Sequence, residues 1–310
     1  MAADSTGNLC PCPPTPLCAR VRATAEQQTL GRRLRAWSAR LARGGRGSRE
    51  DAERLACHVL QCNRARLYML MDDPVDAQAD AGIDALVEAC AAGTPVPYLT
   101  GISGFWTFDL AVTRDTLIPR ADTATLVEAA LAAVTDTDDG ADVLDLGTGT
   151  GAVALALAAE RRAWRLTATD ASAAAVEVAR DNARRLGLEA RIRFLHGDWY
   201  GAVPAGETFA LIVSNPPYIA ARDPHLDDPG LAAEPRTALV AGDDGLAALG
   251  AIIAGAPARL RAGGALWVEH GHAQGAAVRR LLEAAGFSSI ATRRDAGHRE
   301  RASGGRLRVS

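Results

Sequence analysis

The first regular pattern of apolar residues along the chain has helical spacing and extends from about Thr29 to Gly93. Ser48 is of a type that caps helices, and apolar residues recur after it at i, i+3, i+4, i+7. The face they share is formed by Ala52, Leu55, Ala56, Val59 and Leu60. A second helix is predicted over 80–92, where Gly93 and Pro95 end the pattern. We therefore predict a small N-terminal helical domain over residues 27–93.

The C-terminal part of the chain alternates between short apolar strands and helical stretches. The expected strands are Asp142–Leu146, Arg165–Thr169, Arg191–His196, Ala210–Ser214 and Ala265–Glu269, then Ser288–Arg294 and Gly305–Val309. Because helical stretches separate the first five, these strands are expected to lie parallel in one sheet. The predicted fold class is α/β, with a doubly wound, mostly parallel seven-stranded sheet of Rossmann-like type over residues 119–310.

Two further segments show neither pattern. Residues 1–26 are rich in Pro, Cys and small residues, and they are predicted to be a disordered leader. Residues 94–118 alternate between polar and apolar side chains, which indicates a hairpin-like linker. No stretch is long and apolar enough to span a membrane, and residues 1–20 lack a signal-peptide core. We expect no membrane partner and a cytoplasmic location.

Composition narrows the possible partners. The chain has 310 residues and a formal net charge of −3, so no bulk positive field points to a nucleic acid, although a local basic patch could still exist. Among six cysteines, Cys10, Cys12 and Cys18 could form part of a metal cluster, but no fourth ligand is spaced to complete it. We predict neither a metal nor a stable nucleic-acid partner.

The run VLDLGTGTGAVALALA joins a predicted strand to a helix through Gly147, Gly149 and Gly151. Glycine lets the backbone turn tightly there and lets a ligand approach without meeting a Cβ atom. The G-x-G-x-G spacing differs from the G-x-G-x-x-G of dinucleotide-binding enzymes. Together with Thr148 and Thr150, these glycines form a loop that is predicted to hold a cofactor.

Acidic and aromatic residues follow at the ends of the next two strands. Asp170 ends the second strand, where its carboxylate could accept both ribose hydroxyls of a nucleoside. Asp198 and Trp199 follow the third strand and are suited to flank an adenine ring. Each feature alone is also typical of a structural turn or a helix cap. The three in order resemble the S-adenosylmethionine site of class I methyltransferases.

The segment FALIVSNPPYIA is the most specific signal, since a buried strand ends in Asn215, Pro216, Pro217 and Tyr218. Prolines stiffen the loop and leave its carbonyls free to accept hydrogen bonds. The Asn215 side-chain oxygen and the Pro216 carbonyl could accept both N–H bonds of a planar –NH2 group, while Tyr218 offers a flat face. Such contacts would aim the nitrogen lone pair at a methyl donor, so Asn215 and Pro216 are the predicted catalytic groups.

This motif resembles that of amino-methyltransferases acting on adenine N6, guanine N2 or glutamine N5, and alone it does not choose among them. Longer segments resemble the release-factor glutamine methyltransferases (the HemK/PrmC family) from about Arg32 to the C-terminus. These segments are GFWTFDLAVTRDTLIPRADTATLVEAAL, NPPYIAARDPHL, EPRTALVAGDDGL, GGALWVEHGHAQGAAVRRLLEAAGF and RDAGHRERAS. The resemblance implies that the substrate is the glutamine of the Gly-Gly-Gln motif in peptide-chain release factors, with S-adenosyl-L-homocysteine as the second product.

The resemblance also implies roles for particular positions. The helical domain would dock the release factor, and residues Asn215, Pro216, Pro217 and Tyr218 would bind its glutamine. The cofactor site is predicted to comprise Gly147, Thr148, Gly149, Thr150, Gly151, Asp170, Asp198, Trp199 and Asn215. The chain departs from the family's linker motif I-P-R-P-[DE]-T-E, since Ala121 and Ala124 replace the second proline and the final glutamate.

Two alternatives stay open at this point. A DNA adenine-N6 or rRNA guanine-N2 amino-methyltransferase would need a target-recognition domain or a basic channel, and the segment between Tyr218 and Gly263 is too short for such a domain. A catalytically inactive binding module would not need the intact NPPY sequence or the intact glycine loop.

Overall fold

The computed structural model describes residues 28–45, 47–134 and 140–308. The predicted leader, 1–26, and its three cysteines lie outside these ranges. Two compact units make up the chain, Met1–Ala91 and Ala92–Ser310. The bounds predicted for the helical domain, the linker and the catalytic domain stay predictions. No helix in the described ranges is long and apolar enough to cross a membrane.

The first unit is helical. Its helices are α1 (Leu30–Arg43), α2 (Arg49–Leu60), α3 (Arg64–Met69) and α4 (Ala77–Ala91). Ser48 caps α2 as predicted, and its side chain and that of Asp51 bond each other's backbone N–H. The predicted start of the fourth helix was wrong by three residues, because the Asp76 carboxylate accepts the N–H groups of Gln78 and Ala79 and starts the helix there.

The second unit opens with a short helix and a hairpin. Helix α5 (Val96–Thr100) precedes β1 (Ile102–Phe105) and β2 (Phe108–Ala111), which pair antiparallel. The sequence VPYLT, which we read as part of an alternating segment, is therefore helical instead. The helix has Pro97 near its start and ends at Gly101, whose φ is +73°. Phe105 and Leu110 of the hairpin are buried in the core of this unit.

A single seven-stranded sheet forms the centre of the second unit. Its strands are β3 (Asp142–Leu146), β4 (Arg165–Asp170), β5 (Ile192–His196), β6 (Phe209–Ser214), β7 (Leu260–Glu269), β8 (Phe287–Arg294) and β9 (Glu300–Leu307). They lie in the order β5-β4-β3-β6-β7-β9-β8, and only β9 runs antiparallel to its neighbours. The predicted mostly parallel α/β sheet is confirmed.

Helices cover both faces of this sheet. They are α6 (Ala124–Ala133), α7 (Ala152–Glu160), α8 (Ala173–Arg185), α9 (Pro229–Ala232), α10 (Ala247–Gly255) and α11 (Gly275–Ala284), α9 being a single turn. Successive β3 residues point to opposite faces, so Val143 joins one apolar cluster and Leu144 the other. The first cluster includes α7, whose residues from Ala152 to Ala158 are all buried. The doubly wound arrangement is thus built from apolar strands that are buried on both sides.

Two strands differ from their expected bounds by more than one residue. Strand β7 begins at Leu260 instead of Ala265, and β9 covers Glu300–Leu307 instead of Gly305–Val309. Both strands contain glycines and small residues where we expected loops. In β9, Gly304 pairs with Trp267, and a Cβ atom at Gly304 would overlap the Trp267 ring. Close approach to a large neighbour explains why glycine lies inside this strand.

Candidate active site

A cavity of about 360 Å³ lies at the carboxyl ends of the parallel strands, beside the loops that follow β3, β4, β5 and β6. Strand β3 lies between β4 and β6, so the loops after β3 and β6 diverge at the point where the strand order reverses. Ligands of open α/β sheets bind at such a point, and small-molecule sites have volumes of roughly 300–1,000 Å³. The cavity therefore has the place and the size of a ligand site.

The structure brings most of the predicted site residues to this cavity. Those that line it are Gly147, Thr148, Gly149, Thr150, Asp170, Asp198, Trp199, Asn215 and Pro217. Three predicted residues do not line it, namely Gly151, Pro216 and Tyr218. Their neighbours show what each one does instead.

The glycine loop after β3 has the backbone conformation that its glycines allow. The φ angles are +71° at Gly147, +56° at Gly149 and +84° at Gly151, a region that side chains rarely adopt. A Cβ atom at Gly149 would meet nothing within 4 Å, so this residue leaves the cavity open. At Gly151 it would lie 3.0 Å from Leu155 and 3.2 Å from Ala179. Gly151 therefore allows close packing at the start of α7, and it does not form the cavity wall.

Asp145 anchors the glycine loop from inside the sheet. Its carboxylate accepts a hydrogen bond of 2.7 Å from the Thr148 hydroxyl and is only 1% exposed. Burial raises the pKa of Asp145 to about 7, although the Thr148 hydrogen bond acts in the opposite direction. Asp145 supports the loop without lining the cavity.

Asp170 connects the ends of two loops. Its Oδ2 atom accepts the Gly149 N–H at 2.8 Å, and its Oδ1 atom accepts the Ser172 N–H at 2.9 Å. These bonds hold the carboxylate at the cavity wall and fix the glycine loop. Each carboxylate oxygen has a further lone pair with which to accept from a ligand.

Trp199 lies against the glycine loop. A Cβ atom at Gly147 would lie 3.4 Å from the Trp199 ring, which is an ordinary contact distance, so the positive φ alone favours glycine there. The backbone of Trp199 itself has φ +39°, in the 3-10 turn Trp199–Ala202 that follows β5. Asp198 precedes it at the cavity wall. The structure thus places an acidic and an aromatic side chain next to the glycine loop.

The NPPY segment follows β6 on the other side of the cavity. The Asn215 amide nitrogen, Nδ2, donates to the Thr123 hydroxyl at 3.1 Å. Among the described residues, none donates a hydrogen bond to Asn215 Oδ1, so this oxygen remains an acceptor at the wall. Pro216 is buried, whereas Asn215 and Pro217 are half-buried.

Tyr218 is directed toward the protein interior. Its hydroxyl donates to Glu269 Oε1 at 3.3 Å, and its carbonyl accepts from Gln274 Nε2 at 3.0 Å. Burial and the nearby Glu269 charge raise the pKa of the Tyr218 hydroxyl. The aromatic ring is therefore absent from the cavity lining, and the expectation that it offers a face to the substrate stays a prediction.

Two further segments complete the cavity wall, and sequence reasoning assigned no role to their individual residues. They contribute Asp115, Thr116, Leu117, Pro119 and Thr123 from one side, and Pro235, Thr237 and Ala238 from the other. The buried Glu234 joins them, because it accepts the Ile118 N–H at 3.0 Å and pairs with Arg120. Burial raises the pKa of Glu234, although the Arg120 charge opposes this effect. Both segments lie in the longer sequences GFWTFDLAVTRDTLIPRADTATLVEAAL and EPRTALVAGDDGL, which carry the family resemblance.

The residues present fit a nucleoside cofactor that carries an amino-acid group. Gly149 leaves open the space that a Cβ atom would occupy, and residues 147–150 line the cavity. Asp170 and Asp198 offer acceptors, and Trp199 offers an apolar ring. These carboxylate acceptors suit ribose hydroxyls and an ammonium group, and the apolar ring suits an adenine.

The fold and this site define a class I methyltransferase. Residues 120–227 match the methyltransferase small domain, and residues 33–101 match the PrmC N-terminal domain. The solved catalytic domain of hMettl16 has a TM-score of 0.51 and 16% identity to this chain, covering 72% of it and 81% of that structure. This likeness shows the fold alone.

Two curated relatives identify the particular family. The release factor glutamine methyltransferase of Xylella fastidiosa is 52% identical over 258 residues, which is 83% of this chain and 93% of the relative. That of Burkholderia pseudomallei is 49% identical over 261 residues, which is 83% of this chain and 91% of the relative. The chain belongs to the release factor glutamine methyltransferase family, and the resemblance noted in the sequence is confirmed.

Proposed function

We propose that this protein methylates the side-chain amide nitrogen, N5, of the glutamine in the Gly-Gly-Gln motif of peptide-chain release factors, with S-adenosylmethionine as the methyl donor. The observation that carries the proposal is the orientation of Asn215. Its –NH2 end is engaged by Thr123, which leaves its oxygen to accept a hydrogen bond at the cavity wall. An acceptor at this point suits an amide –NH2 group as the substrate.

Positioning of the amide is the main task of the chain's own residues. An amide nitrogen is a poor nucleophile because its lone pair is delocalised into the carbonyl group. Asn215 Oδ1 and the Pro216 carbonyl would accept its two N–H bonds and hold the lone pair toward the cofactor loop. These two dipoles would also stabilise the positive charge that develops on nitrogen. The proton can leave after the methyl group has transferred, so no general base is assigned.

The cofactor would be held by the loop 147–151 together with Asp170, Asp198 and Trp199. When bound, S-adenosylmethionine supplies an electrophilic methyl group attached to a positively charged sulfur. Asp170 would accept the ribose hydroxyls, and Trp199 and Asp198 would flank the adenine. The proposed location is the cytoplasm, with release factors as the partners.

A substrate comparison tests the proposed function. The purified protein is incubated with labelled S-adenosylmethionine and, in parallel reactions, with a bacterial release factor, duplex DNA and ribosomal RNA. We expect label on the release factor only. Label on DNA or RNA with none on the release factor would replace the proposed function with that of a nucleic-acid amino-methyltransferase. Absence of cofactor binding by calorimetry would instead indicate an inactive binding module.

A further inference from the structure

We propose that Glu269 is a positioning residue that acts through Thr123 and sets which end of the Asn215 carboxamide faces the cavity. This inference rests on the proposed function, since it assigns the cavity-facing oxygen of Asn215 to the substrate amide. Glu269 is at the end of β7, and Thr123 is in the 3-10 turn that leads into α6. Neither residue belongs to the glycine loop or to the NPPY motif.

Asn215 and Thr123 are linked by a hydrogen bond. Asn215 Nδ2 donates to Thr123 Oγ1 at 3.1 Å, and Thr123 is 3% exposed. A carboxamide has a donor end and an acceptor end of nearly the same shape, so packing alone does not choose between its two orientations. The choice depends on whether the Thr123 oxygen acts as the acceptor or the donor toward Asn215.

A buried carboxylate lies beside Thr123. Glu269 is 1% exposed, its Oε1 atom accepts from Tyr218 at 3.3 Å, and its Oε2 atom is buried with no hydrogen-bond partner among the described residues. A buried carboxylate oxygen that lacks a donor is costly. The Thr123 hydroxyl, whose oxygen accepts from Asn215, needs an acceptor for its own hydrogen, and it lies near enough to Glu269 to lower the pKa of that carboxyl group.

Glu269, Thr123 and Asn215 would form a series of hydrogen bonds, and the donor-to-acceptor direction of this series follows from the single hydrogen of the Thr123 hydroxyl group. When Thr123 directs its hydrogen toward the Glu269 carboxylate, its oxygen can only accept from Asn215. Asn215 must then turn its –NH2 end inward and its Oδ1 atom toward the cavity. An ionised carboxylate only accepts hydrogen bonds, so it imposes this direction on the whole series of hydrogen bonds. A neutral amide at the same position could donate and would allow the opposite direction.

The charged groups around Glu269 come from three segments. Arg301 on β9 and the Tyr218 hydroxyl favour the ionised form, whereas Asp122 disfavours it. Arg301 is shared, since it pairs with Asp122 at 3.0 Å and with Asp295 at 3.0 Å. Burial raises the pKa of Glu269 to about 7, and Thr123, Arg301 and Tyr218 act against the burial effect in that order. The donor-to-acceptor direction of these hydrogen bonds, and with it the orientation of the Asn215 carboxamide, should therefore depend on pH near neutrality.

The test observes the Asn215 side chain itself. The sequence contains four asparagines, Asn8, Asn63, Asn182 and Asn215, so selective 15N-asparagine labelling gives few side-chain amide signals. The Asn215→Ala variant identifies the signal of interest. In the wild-type protein we expect this signal to shift with pH with a midpoint near 7. Glu269→Gln and Thr123→Val should abolish the pH dependence, and Thr123→Ser should keep it.

Thr167→Val is the matched control, because Thr167 is also buried but lies on β4 and bonds Arg193. It should leave the Asn215 titration unchanged. A titration that persists in both Glu269→Gln and Thr123→Val, or an Asn215 signal that does not respond to pH in the wild-type protein, would overturn the proposal. If Glu269→Gln fails to fold, Thr123→Val, which keeps the carboxylate, decides the question.

Methyl-transfer kinetics separate this proposal from the proposed function. Glu269→Gln and Thr123→Val should lower kcat by about 100-fold, as expected for a misplaced reacting group, with the Kd for S-adenosylmethionine unchanged. Thr123→Ser should retain kcat close to the wild-type value. If the wild-type protein methylates no release factor while the Asn215 titration behaves as expected, the proposed substrate fails and the positioning role stands. Unchanged kcat in both variants would refute the positioning role.

Discussion

At the residue scale, the part of the site that would contact the substrate depends on one side chain and its orientation. Asn215 follows β6 directly, and its Nδ2 atom bonds Thr123, 92 residues away along the chain. The importance of Asn215 was visible in the sequence, because a carboxamide and two prolines after a buried strand form a recognisable motif. Thr123 was not identified, since its role comes from a contact between distant segments and no local pattern encodes it.

Replacement of Asn215 by alanine tests the residue-scale account. The Asn215→Ala variant should lose about 100- to 1,000-fold in kcat, the range typical when one positioned hydrogen-bonding group is removed. The Kd for S-adenosylmethionine, measured by calorimetry, should be nearly unchanged because the glycine loop and Asp170 remain. Equal losses in turnover and in cofactor affinity would argue against the assigned role.

Asp170 should behave in the opposite way. Its carboxylate holds Gly149 and Ser172 through backbone N–H groups and also faces the cavity. The Asp170→Ala variant is therefore expected to bind S-adenosylmethionine about 10- to 100-fold more weakly, since it loses hydrogen bonds to a charged group. The same calorimetric titration checks this, and unchanged affinity would refute the assignment.

At the element scale, the apolar strands were predicted well and the glycine-containing ones poorly. The expected bounds of β3 agree with the structure, because its apolar side chains are buried on both faces. The start of β9 was missed by five residues, since the sequence ERASGG has no run of apolar or β-branched residues. Pairing with β7 and β8 determines this strand, and sequence-local patterns carry no information about such pairing.

Gly304 in β9 allows a specific test of this explanation. A Cβ atom there would overlap the Leu266 carbonyl oxygen and the Trp267 ring. Gly304→Ala should lower the free energy of unfolding by about 1–3 kcal/mol, as expected for overpacking a core. Gly250→Ala in α10 is the control, because a Cβ atom at Gly250 meets nothing within 4 Å. The Gly250→Ala substitution should be neutral or stabilising by up to about 1 kcal/mol. Denaturant unfolding measures both variants, and equal changes in the free energy of unfolding for Gly304→Ala and Gly250→Ala would contradict the explanation.

At the scale of the whole molecule, the sequence determined the class of fold and the edge of the sheet where the site lies. The parallel order of strands brings residues 147–150, Asp170, Trp199 and Asn215 to one cavity, in agreement with their positions at strand ends. The walls formed by residues 115–119 and 235–238 could not be placed, since loops without periodicity have no preferred position before the sheet is assembled.

Buried carboxyl groups in the sheet make global stability depend on pH. The pKa of Asp145 is raised by burial from 3.8 to about 7. Between these values the folded state binds more protons than the unfolded state, so the free energy of unfolding falls as pH rises and the loss is complete above about 7. Relative to the wild-type protein, Asp145→Asn should gain about 2–3 kcal/mol in the free energy of unfolding between pH 5 and pH 8.

Asp142, three residues earlier in the same strand, provides the matched control. Hydrogen bonds from Arg165 and Arg261 lower its pKa although burial opposes them, so it stays ionised in both states over this pH interval. The difference in unfolding free energy between Asp142→Asn and the wild-type protein should therefore stay constant from pH 5 to pH 8. Urea unfolding at both pH values measures both variants, and parallel behaviour of the two would contradict the assigned burial effect.

The position of the methyl group on the substrate is the decisive measurement for the proposed glutamine methylation. A bacterial release factor and a copy whose Gly-Gly-Gln glutamine is replaced by alanine are incubated with the protein and S-adenosylmethionine, and their peptides are sequenced by tandem mass spectrometry. We expect one added methyl group, on the amide nitrogen of that glutamine, and none on the altered copy. Methylation of both proteins, or of another residue, would contradict it.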